Sequence, residues 1–246
     1  MISIFNKEIK SFFGSLTGYI VVGIFLILTN LFLWVIPGEY NIPESGYANV
    51  DGLFTIAPWL FLFLCPAIAM RAFAEEKQSG TWELIITKPL SSWQIVLGKY
   101  FASVVVVLIA LIPTILNYFV VSYLAEPVGN VDAGAFWGSF IGLVFLATIF
   151  TAIGIFSSSL SNNQVVSFVL AVVISFALFY GFDLLTSFFS EGNTIGFIEN
   201  VGINAHYKSI SRGVIDSRDI TYFLIVSYLF LLFTERKISK KYFFIF

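Results

Sequence analysis

Between Ala133 and Phe182 the chain reads AGAFWGSFIGLVFLATIFTAIGIFSSSLSNNQVVSFVLAVVISFALFYGF, 50 residues without a charged side chain. A helix crosses a hydrocarbon core about 30 Å thick in roughly 20 residues, so this stretch is too long for one crossing and right for two. Its polar break, Ser157-Ser158-Ser159-Leu160-Ser161-Asn162-Asn163-Gln164, marks the turn between them. Ser161 and Gln164 stand at the S-x-x-Q spacing of a capping box, which predicts the start of the next helix.

The rest of the chain follows the same rule. Ser11 to Gly38, Gly52 to Met70 and Tyr100 to Ala125 are also free of charge. Ile220 to Thr234 is a further uncharged run of only 15 residues, about 22 Å as a helix, and is expected to be the weakest crossing. The predicted spans are therefore about 17–36, 53–71, 97–124, 136–156, 164–184 and 219–234. Composition agrees: 58% of residues are hydrophobic, only 11% are charged, and the mean hydropathy is +0.91. Soluble domains carry about 25% charged residues. The expected fold is a single all-α membrane domain over residues 1–246, with six transmembrane helices.

Charge orders the topology. With the N-terminus inside, the inner segments hold Lys7, Lys10, Arg71, Lys77, Lys88, Lys99, Arg236, Lys237, Lys240 and Lys241. The outer segments hold only Lys208, Arg212 and Arg218. Lysine and arginine bias sets orientation, so both ends are expected in the cytoplasm, in the bacterial inner membrane. The first apolar stretch is far longer than the roughly 7–15 residues of a signal-peptide core, and reads as a span. Ahead of it, Ile2, Phe5, Ile9, Phe12 and Phe13 share one helical face while Asn6, Lys7 and Lys10 share the other. Residues 1–13 are thus expected to form an interfacial amphipathic helix.

One inner stretch differs in kind: RAFAEEKQSGTWELIITKPLSSWQIVLGK, Arg71 to Lys99, with seven charged residues. Ser79-Gly80 should break the helix leaving the second span. Thr81 can N-cap a short helix with Glu83 in its first turn, and Pro89 should stop it. Ser91 and Gln94 form a second capping box leading into span three. Trp82, Leu84, Ile85 and Ile86 give the short helix an apolar surface that needs lipid or protein against it.

The string EEKQSGTWELIITKPLS closely resembles the signature of ABC-2 type transporter permeases, and SRGVIDSRDITYFL, Ser211 to Leu224, resembles that family's lead-in to its sixth span. The likeness extends along the whole chain, and within the family it is greatest to gliding-motility permeases of the GldF type. The resemblance implies that loop 72–96 carries a coupling helix that docks on a separate ATPase subunit. Glu75, Glu76, Ser79, Gly80, Thr81, Trp82, Glu83 and Pro89 would be the coupling residues. It implies a second permease subunit, like or unlike, and a role in export or mechanical work such as gliding or surface secretion. The bland reading of Glu75 and Glu76 is a solvated helix end beside Lys77. A non-transporting membrane scaffold of an envelope or motility machine is the alternative function.

Gly134, Gly138 and Gly142 make a small-residue stripe suited to helix packing or a subunit contact. Pro66 and Pro113 fall inside spans and read as hinges or static bends. Arg71, Lys99 and Asp183 lie near predicted span ends, where a long side chain can snorkel. The absence of titratable groups at mid-span argues against an ion-coupled carrier. Asn30, Asn117, Thr148 and Ser175 are the polar candidates inside the spans. His206 reads as solvated or packed, and Asp216 and Asp219 as caps or flanks of the last helix. The long outer loop, 185–218, is expected to hold short interfacial helices. Nothing resembles a P-loop or a metal cluster, so no cofactor, no metal and no catalysis of the chain's own are expected. The scattered basic residues do not suggest nucleic acid.

Overall fold

The computed structural model describes residues 1–189, 192–213 and 216–243, and among these there are helices and turns but no strand. The first half comprises α1 (Ile2–Phe13), α2 (Leu16–Trp34), α3 (Ile42–Ser45), α4 (Asp51–Ala69), α5 (Arg71–Gln78), α6 (Trp82–Ile86) and α7 (Ser92–Leu111). A 3-10 turn, Ile112–Thr114, joins α7 to α8 (Ile115–Leu124). The second half holds α9 (Ala133–Leu160), α10 (Gln164–Phe179), α11 (Gly181–Thr186), α12 (Gly192–Val201), α13 (Ile203–Ile210) and α14 (Ser217–Phe243).

Among the described residues, five helical rods are long and apolar enough to cross a membrane: α2, Asp51–Gln78, Ser92–Leu124, α9 and Ser217–Ser239. The short apolar helix is α10, with 16 residues, and not the last one as expected. An uncharged run is a poor measure of helix length, because glutamate, arginine and lysine are good helix formers. The last helix therefore continues through Glu235, Arg236 and Lys237 to a length of 27 residues. The helix after Leu160 also starts differently. Asn163, not Ser161, caps α10, accepting from the Val165 N–H at 2.8 Å, while Ser161 Oγ accepts from the Asn163 N–H.

The bundle is built around α9. Leu143, Leu146, Ala147, Ile149, Phe150 and Ile153 are wholly buried against α4, α10, α14 and α7. Helix α10 meets its neighbours through Ser167, Ala171 and Ser175, small residues at a four-residue spacing that permit close approach. At the periphery, α2 leaves Tyr19, Ile20, Ile24 and Ile27 exposed, as suits a helix whose outer surface is lipid.

The segment after α10 does not simply lie at an interface. Helix α13 turns inward and buries Ile203, Tyr207 and Ile210 in the core. The Tyr207 hydroxyl donates to the Phe54 carbonyl at 2.6 Å. That carbonyl lies four residues before Pro58, whose missing N–H leaves it without its helical partner. Pro58, which the sequence reading did not single out, is thus compensated by a side chain 153 residues along the chain from the stranded Phe54 carbonyl.

Candidate functional site

The α4–α5 rod ends in the charged segment, with α5 still packed against α9 through buried Ala72, Phe73 and Ala74. Ser79 ends α5, and Gly80 reverses the chain at φ +71, a left-handed conformation that favours glycine. No neighbour lies within 4 Å of where a Gly80 Cβ would stand, so conformation and not crowding demands glycine here. Helix α6 follows, but Thr81 does not cap it as expected. Its backbone is already helical (φ −78, ψ −10), and a side-chain cap needs an extended residue. The Thr81 hydroxyl instead meets Ser79 Oγ at 2.9 Å. The helix ends at Ile86, three residues ahead of Pro89. The second capping box is complete: the Gln94 N–H donates to Ser91 Oγ and the Ser91 N–H to Gln94 Oε1, at 3.3 and 3.2 Å.

The faces of α6 divide. Trp82 turns inward and packs edge-on against Phe73, ring centres 5.6 Å apart, while Leu84 stands 65% exposed beside exposed Glu83. Thr87, Lys88 and Pro89 are exposed as well.

The glutamate pair also divides. Glu75 faces Arg71, which grips both its oxygens at 2.8 and 3.0 Å and reaches the Ser15 and Thr17 hydroxyls. Glu76 is only 6% exposed, so it is not part of a solvated helix end. Its Oε1 accepts from Lys7 at 2.5 Å and pairs with the Lys99 ammonium 2.8 Å away, while Oε2 has no hydrogen-bond partner. Lys77, its expected companion, points to the Ser159 carbonyl.

Lys99 does not snorkel. It is 1% exposed, and its ammonium is held by Glu8 at 2.8 Å, Glu76, and the Ala72 carbonyl at 2.6 Å, with the Phe73 ring 5.2 Å away. Lys7, Glu8, Glu76 and Lys99 thus form a cluster of balanced charge joining α1, α5 and α7. Burial works against the Lys7 ammonium, yet its bond to Glu76 and the nearby charges of Glu76, Glu8 and Glu75 hold it above the ordinary lysine value. Helix α1 packs Ile9, Phe12 and Phe13 of the expected face against the core, and adds Ile4 to it. Ile4 is buried against Gly98 of α7, Glu8 lies one turn on, and Ile2 is 71% exposed. The sequence reading missed Glu8, whose one signal is its four-residue spacing from Ile4 and Phe12 on that line.

The remaining sequence candidates lie elsewhere. Gly138 and Gly142 face the return of the chain at the end of α13, where a Cβ would stand 2.6 Å from Gly213 Cα and 3.0 Å from Ile210 Cγ2. Gly134 meets only the cap of its own helix, Asp132. Pro66 is buried within α4, and the assigned helix breaks four residues later, at Met70. Pro113 occupies the 3-10 turn between α7 and α8. Next to it, Asn117 accepts from Trp34 Nε1 at 2.7 Å. Asn30 and Thr148 bond back to their own helices, and Ser175 is buried without a partner. His206 is packed between Asp219, the Asn200 carbonyl and the Tyr222 ring. Asp216 caps the last helix at the Arg218 N–H, and Asp183 holds Asn204 and Lys208. Among the described residues no group of histidine, cysteine and carboxylate side chains could hold a metal ion.

The α4–α5 rod, a left-handed turn and a short helix with one buried and one exposed face thus follow one another in the chain. Comparison with curated proteins finds no match. The sequence model of one family, described as ABC-2 family transporter protein, matches residues 2–214, from α1 through the outer helices. Members of that family are membrane components that work with an ATP-hydrolysing subunit and have no catalytic activity of their own. The chain belongs to the ABC-2 family of transporter permeases.

Proposed function

We propose that the chain is the membrane-spanning half of its transporter and receives the work of the ATPase through the exposed face of α6. The observation that carries this reading is the division of α6 itself. Trp82 roots the helix on Phe73, while Glu83, Leu84, Thr87 and Lys88 remain uncovered at the end of the α4–α5 rod. An apolar residue ringed by polar ones is the composition expected at the centre of a docking patch. Glu76 then acts from within, as the anchor joining α1, α5 and α7, and Glu75 and Ser79 shape the turn.

Six crossings complete the reading. With Tyr180, α10 and α11 together extend to about 34 Å, enough for the fifth crossing, where α10 alone would reach about 24 Å. Inward placement of the basic residues orients both ends toward the cytoplasm of the inner membrane. A second permease, like or unlike, would complete the pathway. Service in gliding motility or surface secretion is supported by sequence resemblance alone.

The test is copurification with the ATPase from detergent extracts. Leu84→Asp is expected to abolish association without loss of folded permease, while Leu184→Asp at the opposite end leaves it intact. Association that survives Leu84→Asp together with Glu83→Arg would refute the docking face. Assembly and cell function that persist with a hydrolysis-dead ATPase would identify a scaffold instead.

A further inference from the structure

The break at Met70, between α4 and α5, is where the membrane rod meets the segment that carries α6. Met70 occupies the N-cap position of α5 and has no side chain that can cap it. The first N–H groups of a helix lack partners within it. One of them, on Phe73, donates to Ser158 Oγ at 2.9 Å, the next N–H, on Ala74, reaches the same oxygen at 3.1 Å, and that hydroxyl donates to the Met70 carbonyl at 2.8 Å. Ser158 belongs to α9 and is wholly buried. One turn earlier on α9, a Cβ at Gly154 would stand 2.6 Å from Ala69 Cβ, so only glycine allows the two helices to close here. One residue further on, the Ser159 carbonyl accepts from Lys77.

Pro66 does not account for the joint. The Met70 N–H still donates to the Pro66 carbonyl at 2.8 Å, so the helical ladder passes the proline and stops where the serine enters. A side chain inserted into the ladder is an established cause of a helix break.

We propose that Ser158 is a positioning residue: a capping hydroxyl supplied by α9 that sets the α4–α5 joint and ties movement of α5 and α6 to α9. The transmission half of this statement rests on the docking role assigned to α6; the capping half does not. On this assignment, the Ser158 hydroxyl joins the Lys77–Ser159 bond and the close contact at Gly154 in linking the central helix of the bundle to the ATPase-facing segment.

The test uses the full permease in lipid nanodiscs, with amide exchange read at Phe73 and Ala74. Ser158→Ala is expected to speed exchange at both about two- to thirtyfold, the range that follows from loss of a capping side chain. Amides of α14 serve as the reference for global folding. Spin labels at Phe63→Cys and Gln78→Cys, in a Cys65→Ala background, report the joint directly. The two sites are about 22 Å apart along the rod, and their distance distribution is expected to broaden in Ser158→Ala. Pro66→Ala is expected to leave the exchange of both amides unchanged. Undisturbed exchange and distances in Ser158→Ala, or an equal effect from Pro66→Ala, would overturn the proposal.

With the ATPase bound, ATP is expected to move labels at Gln78 and Leu160 together, holding their separation, and Ser158→Ala should uncouple them. Labels that already move apart in the unsubstituted permease would refute the transmission half. Failure of the unsubstituted permease to bind the ATPase would refute the docking reading while leaving the capping result standing.

Discussion

Lys99→Met tests whether the buried charge cluster holds the N-terminal helix in place. Methionine keeps the length and apolar stem of the side chain and removes the ammonium. Glu76 is then left with Lys7 alone, and Glu8 loses its 2.8 Å partner. Taking one member from a buried ion pair costs about 3–5 kcal/mol, because the remaining charge stays in a poorly solvated place. Lys7 reaches the same Glu76 oxygen, but its side chain is 54% exposed, so Lys7→Met should cost about 1 kcal/mol or less. The two substitutions share an acceptor and differ in burial, which makes their ratio informative. Reversible unfolding in mixed micelles, followed by tryptophan fluorescence, gives both values. The double variant Glu76→Gln with Lys99→Met should cost less than the sum of the single changes, since the second no longer strands a charge. Equal costs for Lys7→Met and Lys99→Met, or strict additivity with Glu76→Gln, would refute the anchoring role.

Tyr207→Phe is expected to destabilise by about 1–3 kcal/mol, because the Phe54 carbonyl loses its substitute for the N–H that Pro58 lacks. In a Pro58→Ala background the same change should cost measurably less, read by the same unfolding assay. Trp82→Ala should release α6 from Phe73, and cleavage by a glutamate-specific protease after exposed Glu83 should accelerate while the bundle stays folded. Gly138→Ala should cost about 1–3 kcal/mol, since its methyl group would meet backbone at Gly213, whereas Gly134→Ala should be neutral or stabilise by up to about 1 kcal/mol.

The all-helical, apolar character of the chain was legible because the bilayer imposes a length and a composition that no local detail overrides. Local punctuation was legible only where a single geometry was available. Ser91 is followed by Ser92, which is taken into the helix as its first residue, and the reciprocal bonds of Ser91 and Gln94 form. Ser161 and Gln164 have the same spacing, but Asn163 lies between them and caps the helix one residue before Gln164. The partners of buried polar groups were not legible at all. Lys99 is 91 residues from Glu8, and Ser158 is 85 residues from Phe73, so neither meeting has a signature within one helix period. Read locally, Lys99 looks like a snorkelling side chain and Ser158 like part of a polar turn. The glutamate pair shows the same limit within two adjacent residues. Resemblance marked Glu75 and Glu76 together, and helical geometry sends one to the surface and the other into the cluster.

The α4–α5 rod can also be considered as a beam with a pivot. From Met70 to Gln78 the outer arm is about 12 Å long, and from Met70 to Asp51 the inner arm is about 28 Å. If the pivot is stiff, a tilt of about 10° carries the outer tip some 2 Å and the far end about 5 Å, an amplification greater than twofold. If the pivot yields, the outer arm turns alone and the stroke is lost before it enters the membrane. The stiffness of one residue's surroundings at Met70 therefore sets the mechanical gain of the whole rod.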